Sequence, residues 1–160
     1  MDFKISQTDI LRTLMNKKDF IPIPSCFDAL SAKLIEQAKF DVTFMSGFAA
    51  SASRIGSPDL GLMTFSEVFD QAKNICNAIN IPMIVDGDTG YGNAMNVRRT
   101  LKECSKAGCA GILIEDQLAP KRCGHTPGKD VVEREEAFDR IRAASDMRSE
   151  GYDILIMART

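Results

Sequence analysis

Gly111-Ile112-Leu113-Ile114-Glu115-Asp116-Gln117 is an unbroken apolar run that turns acidic at its end. The apolar part is too short for a helix and does not alternate, so it reads as a strand covered on both faces. Leu118-Ala119-Pro120-Lys121-Arg122-Cys123-Gly124-His125 follows as a polar loop. It sets a thiol after two cations and close to the single histidine of the chain. Positive charge nearby favours thiolate, which predicts Cys123 as a nucleophile or proton donor near neutral pH. A basic surface loop with an incidental cysteine is the other reading that so short a motif leaves open.

The same layout recurs along the chain. Val42-Thr43-Phe44-Met45 runs into Ser46, Pro82-Met83-Ile84-Val85 into Asp86 and Asp88, and Asp153-Ile154-Leu155-Ile156-Met157-Ala158 into Arg159. Phe20-Ile21-Pro22-Ile23-Pro24 is also extended, and its prolines suit a strand edge or end. Helical patterns lie between. Residues 8–18 carry Ile10, Leu11 and Leu14 on one side, and Asp28 opens a helix with Leu30, Leu34 and Ala38 at four-residue spacing. Thr64 and Glu67 form a capping box before a stripe of Phe65, Val68, Phe69, Ala72, Ile75, Cys76 and Ile79. Asn93 or Asn96 caps the next helix, which points Val97, Leu101 and Cys104 inward and stops at Gly108. Residues 133–150 form the last, with Phe138, Ile141 and Ala144 inward.

Alternating apolar strands and helices predict an α/β fold with a parallel sheet. Polar residues follow several strands rather than one crevice, which favours a (β/α)8 TIM-type barrel over a doubly wound sheet. The Asp86-Gly87-Asp88-Thr89-Gly90-Tyr91-Gly92 turn is glycine-rich but places carboxylates where a dinucleotide phosphate would approach. A whole barrel needs eight strands and roughly 200 residues or more. The 160 residues hold five. Residues 1–160 therefore read as the N-terminal portion of one barrel domain, with unpaired strand edges prone to association.

Bulk composition bounds the rest. The chain is 44% hydrophobic and 26% charged, with a formal net charge of -2. It has no basic stripe for nucleic acid and no long apolar run for a membrane. Residues 1–6 lack the layout of a signal peptide. The five cysteines are odd in number and scattered, which fits free thiols in a reducing cytoplasm. Cys26, Cys76, Cys104 and Cys109 read as small buried hydrophobes.

Asp86 and Asp88 stand two residues apart on extended backbone and project to one side. Hard oxygen donors at a strand end suit Mg²⁺, which takes few carboxylates and keeps several waters. Glu115 at the neighbouring strand end and Asp59 in a loop are further donors. Turn formation by Asp-Gly is the competing reading.

Ile114-Glu115-Asp116-Gln117, Lys121-Arg122-Cys123-Gly124-His125 and Val85-Asp86-Gly87-Asp88-Thr89-Gly90-Tyr91-Gly92 resemble signatures of the isocitrate lyase/phosphoenolpyruvate mutase superfamily. The likeness is strongest to methylisocitrate lyase-like and carboxyphosphonoenolpyruvate phosphonomutase-like members. It implies a TIM barrel with Mg²⁺ or Mn²⁺ held by Asp86, Asp88, Glu115 and Asp59. It implies that Ser46, Gly47 and Phe48 form a substrate-carboxylate loop and that Arg159 pairs with a second carboxylate. Cys123 becomes the acid/base thiol on a closing loop, supported by Lys121, Arg122, Gly124 and His125. Mutase members generally lack the Cys-Gly-His motif, so the resemblance implies a carbon–carbon lyase. Such an enzyme cleaves a small 2-hydroxy di- or tricarboxylic acid to a 2-oxo acid and a carboxylate.

Two positions depart from the lyase pattern: Phe44 stands where lyases usually carry Tyr, and Leu113 where many carry His. These departures fit a divergent member acting on another small 2-hydroxy or 2-oxo acid, such as a dimethylmalate-type substrate, or an oxaloacetate-type hydrolase, with Tyr91 as a candidate for the missing proton role. A phosphonomutase or an oxaloacetate-type hydrolase is the alternative on the same scaffold. A fragment serving only as an assembly module is the alternative of another class. Family members are commonly homotetramers.

Overall fold

The computed structural model describes residues 5–17 and 20–160. Lys18, the end of the first expected helix, lies outside them. The elements run α1 (Gln7–Lys17), β1 (Ser25–Cys26), α2 (Ala29–Gln37), β2 (Thr43–Met45), α3 (Gly47–Ile55) and α4 (Phe65–Ala78). They continue with β3 (Met83–Asp86), α5 (Ala94–Ala107), β4 (Gly111–Glu115), α6 (Arg134–Ser149) and β5 (Leu155–Arg159). The strands form one sheet in the order β1-β2-β3-β4-β5, every pair parallel. Spatial order equals chain order, and nowhere does it reverse as a doubly wound sheet must at its switch point. This is an arc of a (β/α) barrel.

The extended stretch 20–24 stays outside the ladder, which begins at Ser25. Pro22 and Pro24 have no N–H to give. The Pro24 carbonyl still accepts from the Phe44 N–H at 3.1 Å and from Thr43 Oγ1 at 2.9 Å. The capping signals hold. Thr64 and Glu67 bond reciprocally at the start of α4, and Asn93 and Asn96 do so at α5.

Side chains alternate across the sheet. The register sets Phe44 beside Ile84 and Gly111, and Asp86 beside Leu113 and Met157. Glu115 sits beside Arg159. One face therefore carries apolar residues near its start and charged ones at its C-terminal end. Leu11 of α1 packs with Val42, Ile84 and Ala110 on the apolar part. The opposite face, with Met83, Val85, Ile112 and Ile114, packs under the helices.

Two helices turn differently from their sequence reading. On α2, Leu30 and Leu34 face solvent, at 67% and 56% exposure, while Ala32 is fully buried. On α6, Ala144 is buried and Ile141 packs against the core as expected, and Arg140, Ala143 and Met147 complete the inward stripe. Phe138 is exposed, with the guanidinium groups of Arg134 and Arg142 over its ring. In both, the closer fit of small side chains against the sheet outranks the larger apolar area that fixed spacing alone would bury. The run of small residues after Ser46 is a helix, α3, rather than a loop.

Candidate active site

Polar side chains converge at the C-terminal ends of the strands, around a cleft of about 230 Å³. Asp86, Glu115, Ser46, Phe48, Arg159 and the 121–125 stretch line it, together with Asp59 and Phe44. Gly47 and Asp88 are the sequence-derived site residues that do not line it. Both stand behind Asp86, whose oxygens accept from the Gly47 N–H at 3.2 Å and the Asp88 N–H at 3.1 Å. A Cβ at position 47 would lie 2.9 Å from Asp86 Oδ2, so this approach needs glycine.

Asp59, Asp86, Asp88 and Glu115 form one acidic group. The Lys121 ammonium contacts Asp59 Oδ1 and Oδ2 at 2.8 Å each, and Asp88 Oδ1 at 2.5 Å. Lys121 thus bridges Asp59 and Asp88 as a buried ion pair. The Tyr91 hydroxyl donates to Asp88 Oδ2 at 3.2 Å. Asp88 and Tyr91 both hold positive φ, 49° and 64°. Non-glycine residues keep that conformation only where their surroundings impose it. Burial, then the neighbouring Asp86 charge, pushes the Asp88 carboxyl up to about 7. Burial likewise raises Glu115. Burial lowers Lys121, but Asp88, Asp86 and Asp59 more than offset this and hold the ammonium above its ordinary range.

Four carboxylates here face two cations, Lys121 and Arg159. The formal charges of the carboxylates exceed those of the cations by two, and the Asp88 and Glu115 carboxyls, raised first by burial, also reflect that excess. An oxygen-only donor set with this balance fits a hard divalent cation. Among the described residues, no three acidic, His or Cys side chains close tightly enough on one point to enclose an ion alone. Mg²⁺, which fills its octahedron largely with water, needs no such cage.

The loop carrying Cys123 is closed over this group. A bridge between Gln117 and Val131 and the Leu118 N–H to Asp130 carbonyl bond form its base. The Cys123 N–H donates to the Asp59 carbonyl at 3.0 Å, and the residue is 7% exposed. Of the cations that precede Cys123 in sequence, Lys121 pairs with Asp59 and Asp88, and Arg122 Nη1 reaches the Pro127 carbonyl at 3.5 Å. Both line the cleft together with Cys123. His125 is exposed at the rim.

Ser46 caps α3, its Oγ accepting from the Ala49 N–H at 3.3 Å. The α3 N-terminus, with its partial positive charge, thus lies at the cleft beside Ser46 and Phe48. Arg159 Nη1 stands 3.6 Å from Glu115 Oε2, and its guanidinium packs directly against Gly124, where a Cβ would collide with it. Phe44 lines the cleft and presents no hydroxyl to it. Leu113 is buried on the same sheet face. Tyr91 does not line the cleft, since its hydroxyl is spent on Asp88.

Gln117 and Arg140 escaped the sequence reading as functional residues. Arg140 is buried, and its Nη1 donates to the carbonyls of Glu115 at 3.1 Å and Gln117 at 3.0 Å. A charge inside the inward stripe of a helix is the signal that could have found it.

A family model described as phosphoenolpyruvate phosphomutase matches residues 11–160. The 2,3-dimethylmalate lyase of Eubacterium barkeri is 45% identical over 150 residues, covering 94% of this chain and 52% of that protein. A solved structure of oxaloacetate acetylhydrolase with the inhibitor 3,3-difluorooxalacetate superposes with a TM-score of 0.92 at 38% identity. It covers 97% of this chain and 54% of the other. A phosphonopyruvate hydrolase solved with oxalate and Mg⁺⁺ gives 0.86 at 32% identity, covering 97% of this chain and 52% of that one. The chain spans about half the length of the curated relatives it matches. With its parallel barrel arc and its acidic strand ends, the chain belongs to the phosphoenolpyruvate phosphomutase family, within the phosphoenolpyruvate mutase/isocitrate lyase superfamily.

Proposed function

We propose that this site belongs to a Mg²⁺-dependent carbon–carbon lyase acting on a small 2-hydroxy di- or tricarboxylic acid of the dimethylmalate or methylisocitrate type. The observation that carries the reading is one cleft in which Asp86, Glu115, Arg159 and Cys123 meet. Asp86, Asp88, Glu115 and Asp59 would hold the ion, directly or through water. Bound there, Mg²⁺ (or Mn²⁺) supplies Lewis-acid stabilisation of negative charge developing on oxygen.

Arg159 offers a planar fork of donors to one substrate carboxylate. Ser46, Gly47 and Phe48 at the α3 N-terminus suit the other. The 2-hydroxyl gives its proton to a carboxylate of the acidic group, its oxygen becomes the carbonyl of the 2-oxo acid as the carbon–carbon bond breaks, and the electron pair of that bond goes to the departing carboxylate fragment. The Cys123 thiol delivers a proton to that carbon. Lys121 anchors the loop through Asp59 and Asp88, and Gly124 makes room for Arg159. Arg122 and His125 form the rim, and the closed loop excludes water.

An oxaloacetate-type hydrolase is the second reading, favoured by Phe44, which brings no hydroxyl to the cleft where lyases usually carry Tyr. The two differ in their need for Cys123. Replacing the proton donor costs about 10²–10⁴-fold in rate. Cys123→Ala in the lyase therefore loses nearly all 2-oxo acid release while still binding Mg²⁺. Substantial turnover by Cys123→Ala would favour the hydrolase.

A further inference from the structure

We infer that Gln117 is the positioning residue that ties the Cys123 loop to the acidic strand end. The inference rests on the reading of Cys123 as the proton donor for its catalytic consequence, but not for its test.

Gln117 is 6% exposed and lies just past β4, between the acidic group and the loop. Its carboxamide makes three bonds. Nε2 donates to Glu115 Oε1 at 3.1 Å and to the Arg122 carbonyl at 3.0 Å. Oε1 accepts from the Arg122 N–H at 3.0 Å. The side chain thus pairs with both backbone groups of Arg122, as a neighbouring strand would, and holds the residue before Cys123 against Glu115. Only a primary amide presents this donor and acceptor pair on one plane.

The amide is itself held. The Gln117 carbonyl accepts from Arg140 Nη1, which also holds the Glu115 carbonyl. Opposite, Gln117 bridges Val131 on the returning arm of the loop. Side chain and backbone together make Gln117 the junction of strand, outgoing arm and returning arm. The other ties of the loop, Lys121 to Asp59 and Asp88 and the Cys123 N–H to the Asp59 carbonyl, run to the segment before α4 and to the turn after β3. They do not fix the distance from Cys123 to Glu115.

Cys123 reports on this clamp without turnover. Its thiol is nearly buried while the loop is closed, and Cys26, Cys104 and Cys109 are buried in the core. Alkylation through brief opening tracks the population of the open form. Losing three hydrogen bonds at a buried group raises that population by about tenfold or more. The experiment compares Gln117→Leu with the parent chain by iodoacetamide labelling, following each cysteine by peptide mass spectrometry. Gln117→Glu is run beside it as a near-isosteric variant that loses both Nε2 donors.

The expected result is a rise of about tenfold at Cys123 with Cys26, Cys104 and Cys109 unchanged. An unchanged Cys123 overturns the inference, since the loop would then be held without Gln117. A parallel rise at all four cysteines, or failure of both variants to fold, also overturns it, by reducing Gln117 to a general structural role. Because no substrate is involved, failure of the lyase reading leaves this result intact.

Discussion

The Lys121 ammonium lies within 2.8 Å of both Asp59 oxygens and 2.5 Å from Asp88 Oδ1, in a setting nearly closed to water. Removing one partner of a buried ion pair is costlier than the pair is stabilising, because the remaining charge stays desolvated. Lys121→Met is expected to lower stability by about 3–5 kcal/mol, read from urea unfolding. A loss under about 1 kcal/mol would mean that the carboxylates are solvated without the lysine. The Asp88 carboxyl gives a pH dependence. Its pKa is pushed up to about 7 in the fold, from an ordinary 3.8. The folded chain without a cation therefore binds this proton more tightly than the unfolded chain. That contribution is complete below the ordinary value and is lost as pH rises through about 7. A cation reverses the preference, since proton and Mg²⁺ compete for one carboxylate. Mg²⁺ affinity measured by calorimetry should weaken by up to about tenfold between pH 7 and pH 6. A flat profile would place the ion away from Asp88. At this scale the sequence displayed every acidic residue of the cluster, because carboxylates at strand ends are conspicuous. It did not display the partners of Lys121, because Asp59 and Asp88 lie far from it along the chain.

The β4 end is fixed from outside by α6. Arg140 reaches through the helix–sheet interface to the carbonyls of Glu115 and Gln117, with Glu136 as a more exposed partner at 2.8 Å. The exposed pair contributes little, so the two buried carbonyls decide the effect. Arg140→Leu should cost about 2–4 kcal/mol in urea unfolding, because each carbonyl loses its charged donor. A cost below that of an ordinary surface change would contradict this role. Strand positions and the Thr64–Glu67 capping box were legible, because short apolar runs and hydroxyl–carboxylate spacing are local signals. Helix facing was not. On α2 and α6 both sides carry apolar residues, and periodicity cannot tell whether Leu30 or Ala32 meets the sheet. The choice is made by packing against α4 and the strands, which is information held far away in the chain.

Across the sheet, the five parallel strands found among the described residues give β1 and β5 one partner each. Met157 on β5 is 42% exposed beside that open edge. Open parallel edges with apolar flanks recruit other chains. Sedimentation velocity should show mass rising with concentration, and Met157→Lys, a charge at the edge, should weaken the effect. A single monomeric species at all concentrations would contradict it. The barrel class was legible because polar residues follow several strands. The reaction was less so, because relatives on this scaffold include a lyase and hydrolases. Among the described residues no helix is long and apolar enough to cross a membrane. The most direct test of the central claim is 2-oxo acid release from a panel of 2-hydroxy di- and tricarboxylic acids, 2,3-dimethylmalate included, with Mg²⁺ and with chelator. The account predicts release that needs Mg²⁺ and is lost in Cys123→Ala. Release that survives the chelator, or oxaloacetate cleavage in its place with Cys123 dispensable, would contradict it.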